Sequence, residues 1–205
     1  MLSLRRAADN PFATEHLHRL SFRFVGCTMW DLMQRCDASG GRGIIVGPQG
    51  SGKTTLLTQL HTFLRDQGWQ VICCRYSPIT FSQRIVVPSA GVRWAALIDS
   101  ANDLTQKQWN QLVRITQSAD RVILAQHRAG RWPTLYECRT SVELLWALFD
   151  ELAEPVNDSV RYWNERLFHK YEGNLRMVFR EWYELWAEEH PIARGLKKKR
   201  LATLQ

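Results

Sequence analysis

Apolar residues fall along this chain in two textures. As far as about residue 139 they form short runs: Gly43-Ile44-Ile45-Val46, Val71-Ile72-Cys73-Cys74-Arg75-Tyr76, Trp94-Ala95-Ala96-Leu97-Ile98 and Arg121-Val122-Ile123-Leu124-Ala125. Nearly continuous runs of that length read as strands covered on both faces. Between them the spacing turns helical. Leu56, Leu57, Leu60, Phe63 and Leu64 share one face of a segment over 54–65 that Gly68 stops, and helix signals return over 104–115. A short helix is expected at Trp30–Cys36, closed by Ser39-Gly40-Gly41. Residues 77–93 fit no pattern clearly, and 84–87 reads either as a short strand or as an irregular edge. The alternation of strand and helix predicts an α/β fold, a parallel sheet with helices on both faces.

After Pro133 the texture changes. Leu135–Cys138 reads as a brief closing strand, and then only helices follow. The first is capped by Thr140 or Ser141 and carries Val142, Leu145, Trp146 and Phe149; the others cover about 159–170 and 174–189. The stripe Leu175, Val178, Phe179, Trp182, Leu185 and Trp186 is expected as the seam that joins this small helical lid to the sheet, or as a surface for a second protein. The expected organisation is a segment 1–42 with a helix packed on the core, an α/β core 43–139, a C-terminal helical lid 140–190 and a basic tail 191–205.

Composition adds little to this. Hydrophobic residues at 45% and charged residues at 23% suit a folded chain of 205 residues. The net charge of +7 is carried partly by Arg194–Arg200, and by Arg5-Arg6, Arg19, Arg23 and the 121–131 stretch. That balance favours anionic partners without choosing among nucleotide, lipid and nucleic acid. The tail, with Lys197-Lys198-Lys199-Arg200, is expected as a disordered, solvated end, nucleic-acid binding being only an added property. The five cysteines show no ligand spacing and are expected to be reduced and mostly buried. No stretch approaches the ~20 apolar residues of a membrane helix, so a cytoplasmic location is the expectation.

The chemistry is concentrated at Gly47-Pro48-Gln49-Gly50-Ser51-Gly52-Lys53-Thr54. An apolar strand precedes it and a helix follows, as the Walker A phosphate-binding pattern requires. Glycines let successive backbone N–H groups turn inward toward phosphate oxygens, and the helix N-terminus adds its dipole. Lys53 is expected to reach the β and γ phosphates, and the Thr54 hydroxyl to ligate magnesium. Asp99, at the carboxyl end of the Trp94–Ile98 strand, is the expected partner in the magnesium shell. A nucleoside triphosphate, ATP with Mg2+, is therefore the expected ligand.

These residues resemble the P-loop ATPases with an extra strand between the Walker A and Walker B strands, the group of RecA-like, ABC, AAA+ and signalling-type ATPases. The resemblance implies a water-orienting glutamate after Asp99, where this chain has Ser100; Asp103 is the nearest acid downstream, for catalysis or for capping the next helix. It implies a polar γ-phosphate sensor at the end of the 121–125 strand, matched by Gln126 or His127, and arginines at Arg128 and Arg131 acting in cis or on a neighbouring subunit. It also implies a sensor arginine at Arg176 in Gly173-Asn174-Leu175-Arg176, and an adenine-lining turn at Asn10-Pro11-Phe12. Slow ATP hydrolysis coupled to lid movement is the leading expectation. A small-molecule or nucleotide kinase and a non-hydrolysing switch stand beside it, and self-association or a protein partner remains open.

Overall fold

The computed structural model describes residues 7–78, 81, 85–154, 157–194 and 196–199. Arg5-Arg6, Arg84 and Arg200 lie outside the described residues. The chain divides into two compact units, Ser21–Cys138 on the one hand and Met1–Leu20 with Arg139–Gln205 on the other. The expected segment 1–42 is thus shared between them.

In the unit Ser21–Cys138, five strands form one parallel sheet: β1 (Arg42–Val46), β2 (Gln70–Arg75), β3 (Trp94–Asp99), β4 (Arg121–Gln126) and β5 (Thr134–Glu137). Their order across the sheet is β2-β3-β4-β1-β5, so β4 lies between β1 and β3. This is the extra strand that the sequence resemblance implies. The period-2 alternation of the strands sorts their side chains. Ile45, Ala95, Leu97, Ile123 and Ala125 face one way, into a core completed by Leu32, Leu56, Leu57, Leu60 and Leu64. Trp94, Ala96, Ile98, Val122 and Leu124 face the other way, toward Leu112 and Phe81.

Among the described residues, three helices cover these faces. The first is Met29–Ala38, which opens on a reciprocal capping box between Thr28 and Asp31. The second is Lys53–Asp66, and the third is Gln106–Ile115, which starts two residues later than its apolar pattern because Thr105 and Gln108 form the cap. With the short helix Thr14–Leu17 of the other unit as α1, these are α2, α3 and α4.

The second unit is helical: α1, α5 (Val142–Leu152), α6 (Asp158–Lys170) and α7 (Leu175–Ala187). Side chains of Ser141, Asn157 and Asn174 cap the last three. Phe12 lies wholly buried between Phe149 and Trp182, with ring centroids 5.0 and 5.8 Å away. The α7 stripe Leu175, Val178, Phe179, Trp182 and Trp186 belongs to this same core, so it is the interior of the helical unit rather than the expected seam.

The tail also departs from expectation. Ala153–Glu154 (β6) pairs antiparallel with Lys197–Lys198 (β7), Leu196 is buried, and the Lys199 N–H donates to the Leu152 carbonyl at 2.9 Å. The expectation of a disordered, solvated end is therefore wrong for residues 196–199. One leucine anchors the run, and ladder hydrogen bonds are made by backbone whatever the side-chain charge. Burial of the cysteines was also overestimated. Cys36 and Cys138 are buried, but Cys73 is exposed because β2 is an edge strand.

Candidate active site

The phosphate loop leaves the sheet at its centre. The Val46 carbonyl accepts the Cys138 N–H at 2.7 Å, and the Gly47 N–H donates to the Gln126 carbonyl at 3.2 Å, so β5 and β4 hold the loop's root from both sides. Two glycines are required there by geometry. A Cβ on Gly47 would stand 2.6 Å from the Cys138 carbonyl oxygen and 2.7 Å from the Ser51 hydroxyl. Gly52, the N-cap of α3, has φ 89°, and a Cβ there would meet the Phe22 ring at 3.2 Å.

Lys53 opens α3 and is only 8% exposed. Its Nζ folds across the loop and donates to the carbonyls of Gly47 and Pro48, each at 2.7 Å. The Thr54 hydroxyl donates to Oδ2 of Asp99 at 2.9 Å, joining the start of α3 to the end of β3. The Ser51 hydroxyl is buried without a hydrogen-bond partner among the described residues. The nearby Cys138 thiol is pushed up to about 12 by burial, against the pull of the Lys53 ammonium, and stays neutral.

Beside the loop, at Pro48 and Gln49, opens a cavity of about 720 Å³. Asp103, Gln126, His127 and Arg128 all line it, whereas Lys53, the other sequence-predicted catalytic candidate of this unit, is not among its lining residues. Its far wall is Trp109, with the Arg131 guanidinium 5.1 Å from the ring centroid and Trp132 edge-on at 4.9 Å. The Gln126 side-chain amide is engaged by the Ala101 carbonyl, and the His127 N–H donates to Asn102 Oδ1 at 2.8 Å.

Asn10, Phe12 and Arg176 lie in the helical unit. The Asn10 side chain donates to the Tyr183 carbonyl and accepts the Phe12 N–H, both at 3.0 Å, and Phe12 is a core residue. Arg176 is exposed in the first turn of α7. Gly173, with φ 77°, and the Asn174 cap set the start of that helix, as the short motif suggests. Sequence reasoning missed Phe22, which packs with Phe24 and Tyr136 in an edge-on aromatic cluster beside Gly52. Apolar residues alternating at Phe22 and Phe24 just ahead of α2 were the available signal. It also passed over the side chain of Asn102.

A phosphate loop after β1, an aspartate closing β3 and a strand inserted between the two define a P-loop ATPase. The chain belongs to the Novel STAND NTPase 5 family, whose model matches residues 23–139. It is therefore a nucleotide-binding chain of an NTPase family. A curated relative, the Fe(3+) ions import ATP-binding protein FbpC of Pseudomonas fluorescens, is 37% identical over 128 residues. That match covers 57% of this chain and 36% of the relative, so the chain spans about a third of that protein's length. Among solved structures, the replication initiator DnaA bound to AMPPCP and single-stranded DNA matches with a TM-score of 0.51 at 15% identity, covering 83% of this chain and 66% of that one. The Thermotoga maritima RuvB Holliday junction branch migration motor matches with a TM-score of 0.51 at 13% identity, covering 86% and 66%. These two likenesses show the fold.

Proposed function

We propose that the chain binds ATP with magnesium in the loop Gly47–Thr54 and hydrolyses it slowly, with the helical unit moving in response. The observation that carries this reading is the contact between the Thr54 hydroxyl and the Asp99 carboxylate, 2.9 Å, one residue from a buried lysine. A hydroxyl and a carboxylate oxygen side by side are hard donors of the kind magnesium takes. The orphaned Ser51 hydroxyl and the loop too tight for a Cβ at Gly47 fit a phosphate cradle. Thr54 and Asp99 would hold the magnesium, which supplies charge neutralisation on the phosphates.

Lys53 does the corresponding work from the protein side. Its ammonium exchanges the Gly47 and Pro48 carbonyls for phosphate oxygens. Asp103 is the carboxylate that faces the cavity at the loop's edge, and it orients the attacking water. Gln126, His127 and Arg128 meet the terminal phosphate from β4. Phe22, beside Gly52, takes the base side of the nucleotide, in place of the Asn10-Pro11-Phe12 turn whose side chains are used in the helical core. Arg176, free of the α7 core, is the residue by which the helical unit senses the nucleotide. No helix among the described residues is long and apolar enough to cross a membrane, and the reading places the chain in the cytoplasm, where ATP and magnesium are available.

A second reading, an ATP-dependent switch without turnover, is favoured by one observation. Ser100 stands directly after Asp99, so the carboxylate expected at that position is missing. Purified protein given γ-labelled ATP and magnesium separates the two. Labelled orthophosphate that depends on Lys53 establishes hydrolysis; bound, intact ATP establishes the switch. A wild type that neither retains nor turns over ATP overturns both.

A further inference from the structure

The turn after β3 holds an uncommon backbone. Ser100 and Asp103 both lie in the left-handed region, with φ 59° and 49°. For residues with a Cβ that conformation costs about 1–2 kcal/mol each and persists only where the surroundings enforce it. Here three hydrogen bonds enforce it from the end of β4. The Ala101 N–H donates to the Ala125 carbonyl at 3.1 Å, the Gln126 amide donates to the Ala101 carbonyl, and the His127 N–H donates to Asn102 Oδ1 at 2.8 Å. The first is made by main chain alone, and the second springs from a side chain of β4. Asn102 supplies the one clasp of the three that reaches from a side chain of the turn to the strand end.

Its neighbours in sequence give that clasp a purpose. Asn102 precedes Asp103, and the amide it holds precedes Arg128; all of them border the cavity that begins at Pro48 and Gln49. We infer that Asn102 is a positioning residue: by holding the His127 amide it fixes the left-handed turn and so aims Asp103 at the terminal-phosphate end of the cavity. The inference rests on the proposal that ATP is bound and hydrolysed at this loop. With the clasp gone, the turn relaxes toward the more populated right-handed or extended backbone, and the Asp103 carboxylate leaves the line of attack. Displacements of about 1 Å at a reacting group are enough to slow chemistry substantially. Lys53, Thr54 and Asp99 lie outside this clasp, so the grip on the nucleotide stays.

The test is steady-state ATP turnover with magnesium by the full chain and four variants: Asn102→Ala, Asn102→Asp, Asp103→Ala and the double alanine variant. Asn102→Ala is expected to lower kcat about tenfold with KM changed less than about twofold, the signature of an interaction that matters in the transition state. Asn102→Asp keeps an oxygen acceptor for the His127 amide and is expected to restore most of the rate. The double variant is expected to be no slower than Asp103→Ala alone, because Asn102 acts through Asp103. Unchanged kcat in Asn102→Ala, losses that simply add, or no recovery in Asn102→Asp would overturn the inference.

Should the wild type bind ATP without turning it over, only the hydrolysis reading fails. Amide hydrogen exchange at His127 then reads the clasp. Slower exchange with β,γ-methylene-ATP than with ADP, a difference lost in Asn102→Ala, supports the positioning role. Equal exchange with both nucleotides overturns it.

Discussion

The two units bury their apolar residues by different means. The α/β unit uses small and branched residues on continuous strands: Ala95, Ala96, Leu97 and Ile98, or Val122, Ile123, Leu124 and Ala125, all inaccessible to solvent. The helical unit relies on large rings, with Phe12, Phe149, Phe179 and Trp182 meeting at centroid distances of 5.0–6.2 Å. Charge divides as unevenly. Ser21–Cys138 holds thirteen Lys or Arg against seven Asp or Glu, a net of +6, while the remainder holds fourteen against thirteen, a net of +1. The lysine-rich tail is therefore nearly neutralised within its own unit. The positive excess belongs to the unit that takes the nucleotide.

That contrast can be broken experimentally, beginning where the largest effect is expected. Lys53→Ala should abolish ATP retention, a loss of at least about a hundredfold in affinity by equilibrium binding, while far-UV circular dichroism stays unchanged; the Lys53 ammonium donates to two carbonyls of the loop. Trp182→Ala should act the other way. It empties the centre of the aromatic core and leaves Asn164 Oδ1 without the indole N–H it accepts at 2.7 Å, costing about 3–5 kcal/mol in chemical denaturation.

Leu196→Ala tests whether the tail belongs to the fold. Loss of that buried side chain should cost about 2 kcal/mol in the same denaturation measurement while ATP binding persists. Thr105→Ala, which removes the α4 cap and its capping box, should cost about 1 kcal/mol.

The smallest effect is expected from acid. The Tyr171 hydroxyl, with Lys170 beside it, holds the Glu181 carboxyl below its ordinary 4.5. A lowered folded-state value means that the contact stabilises above the unfolded value and is lost as pH falls through the folded one. Glu181→Gln should therefore lower the melting temperature slightly at neutral pH and flatten the acid limb, so that the two profiles converge as pH falls below about 4.5.

What could be read from the chain follows from the same contrast. Strands covered on both faces advertise themselves as apolar runs, so β1, β3 and β4 were legible to within a residue, and the loop at Gly47–Thr54 carries its own pattern. The caps at Ser141 and Asn174 mark helix starts that periodicity alone leaves loose, whereas the Thr105 cap lay hidden inside the expected 104–115 segment. Other features were hidden because partners distant in sequence create them. A two-residue strand such as β7 has no period to detect. Phe12 looks like any residue after an Asn-Pro turn until Phe149 is placed 5.0 Å from it. Asn102 is an ordinary turn asparagine until β4 brings the His127 amide to its side chain.

The division of the chain has a consequence for how the molecule comes into being. The helical unit has its two parts separated by the whole of Ser21–Cys138, and Asn10 finds its acceptor on Tyr183, 173 positions later. During synthesis the nucleotide-binding unit is complete while the aromatic core still lacks most of its rings. Domains generally fold as units in the order they emerge. Here that order is inverted: Phe12, made before the α/β unit, stays uncovered until Phe149 and Trp182 follow that unit. A nascent chain stalled after Cys138 should already hold ATP while its leading segment is still open to protease.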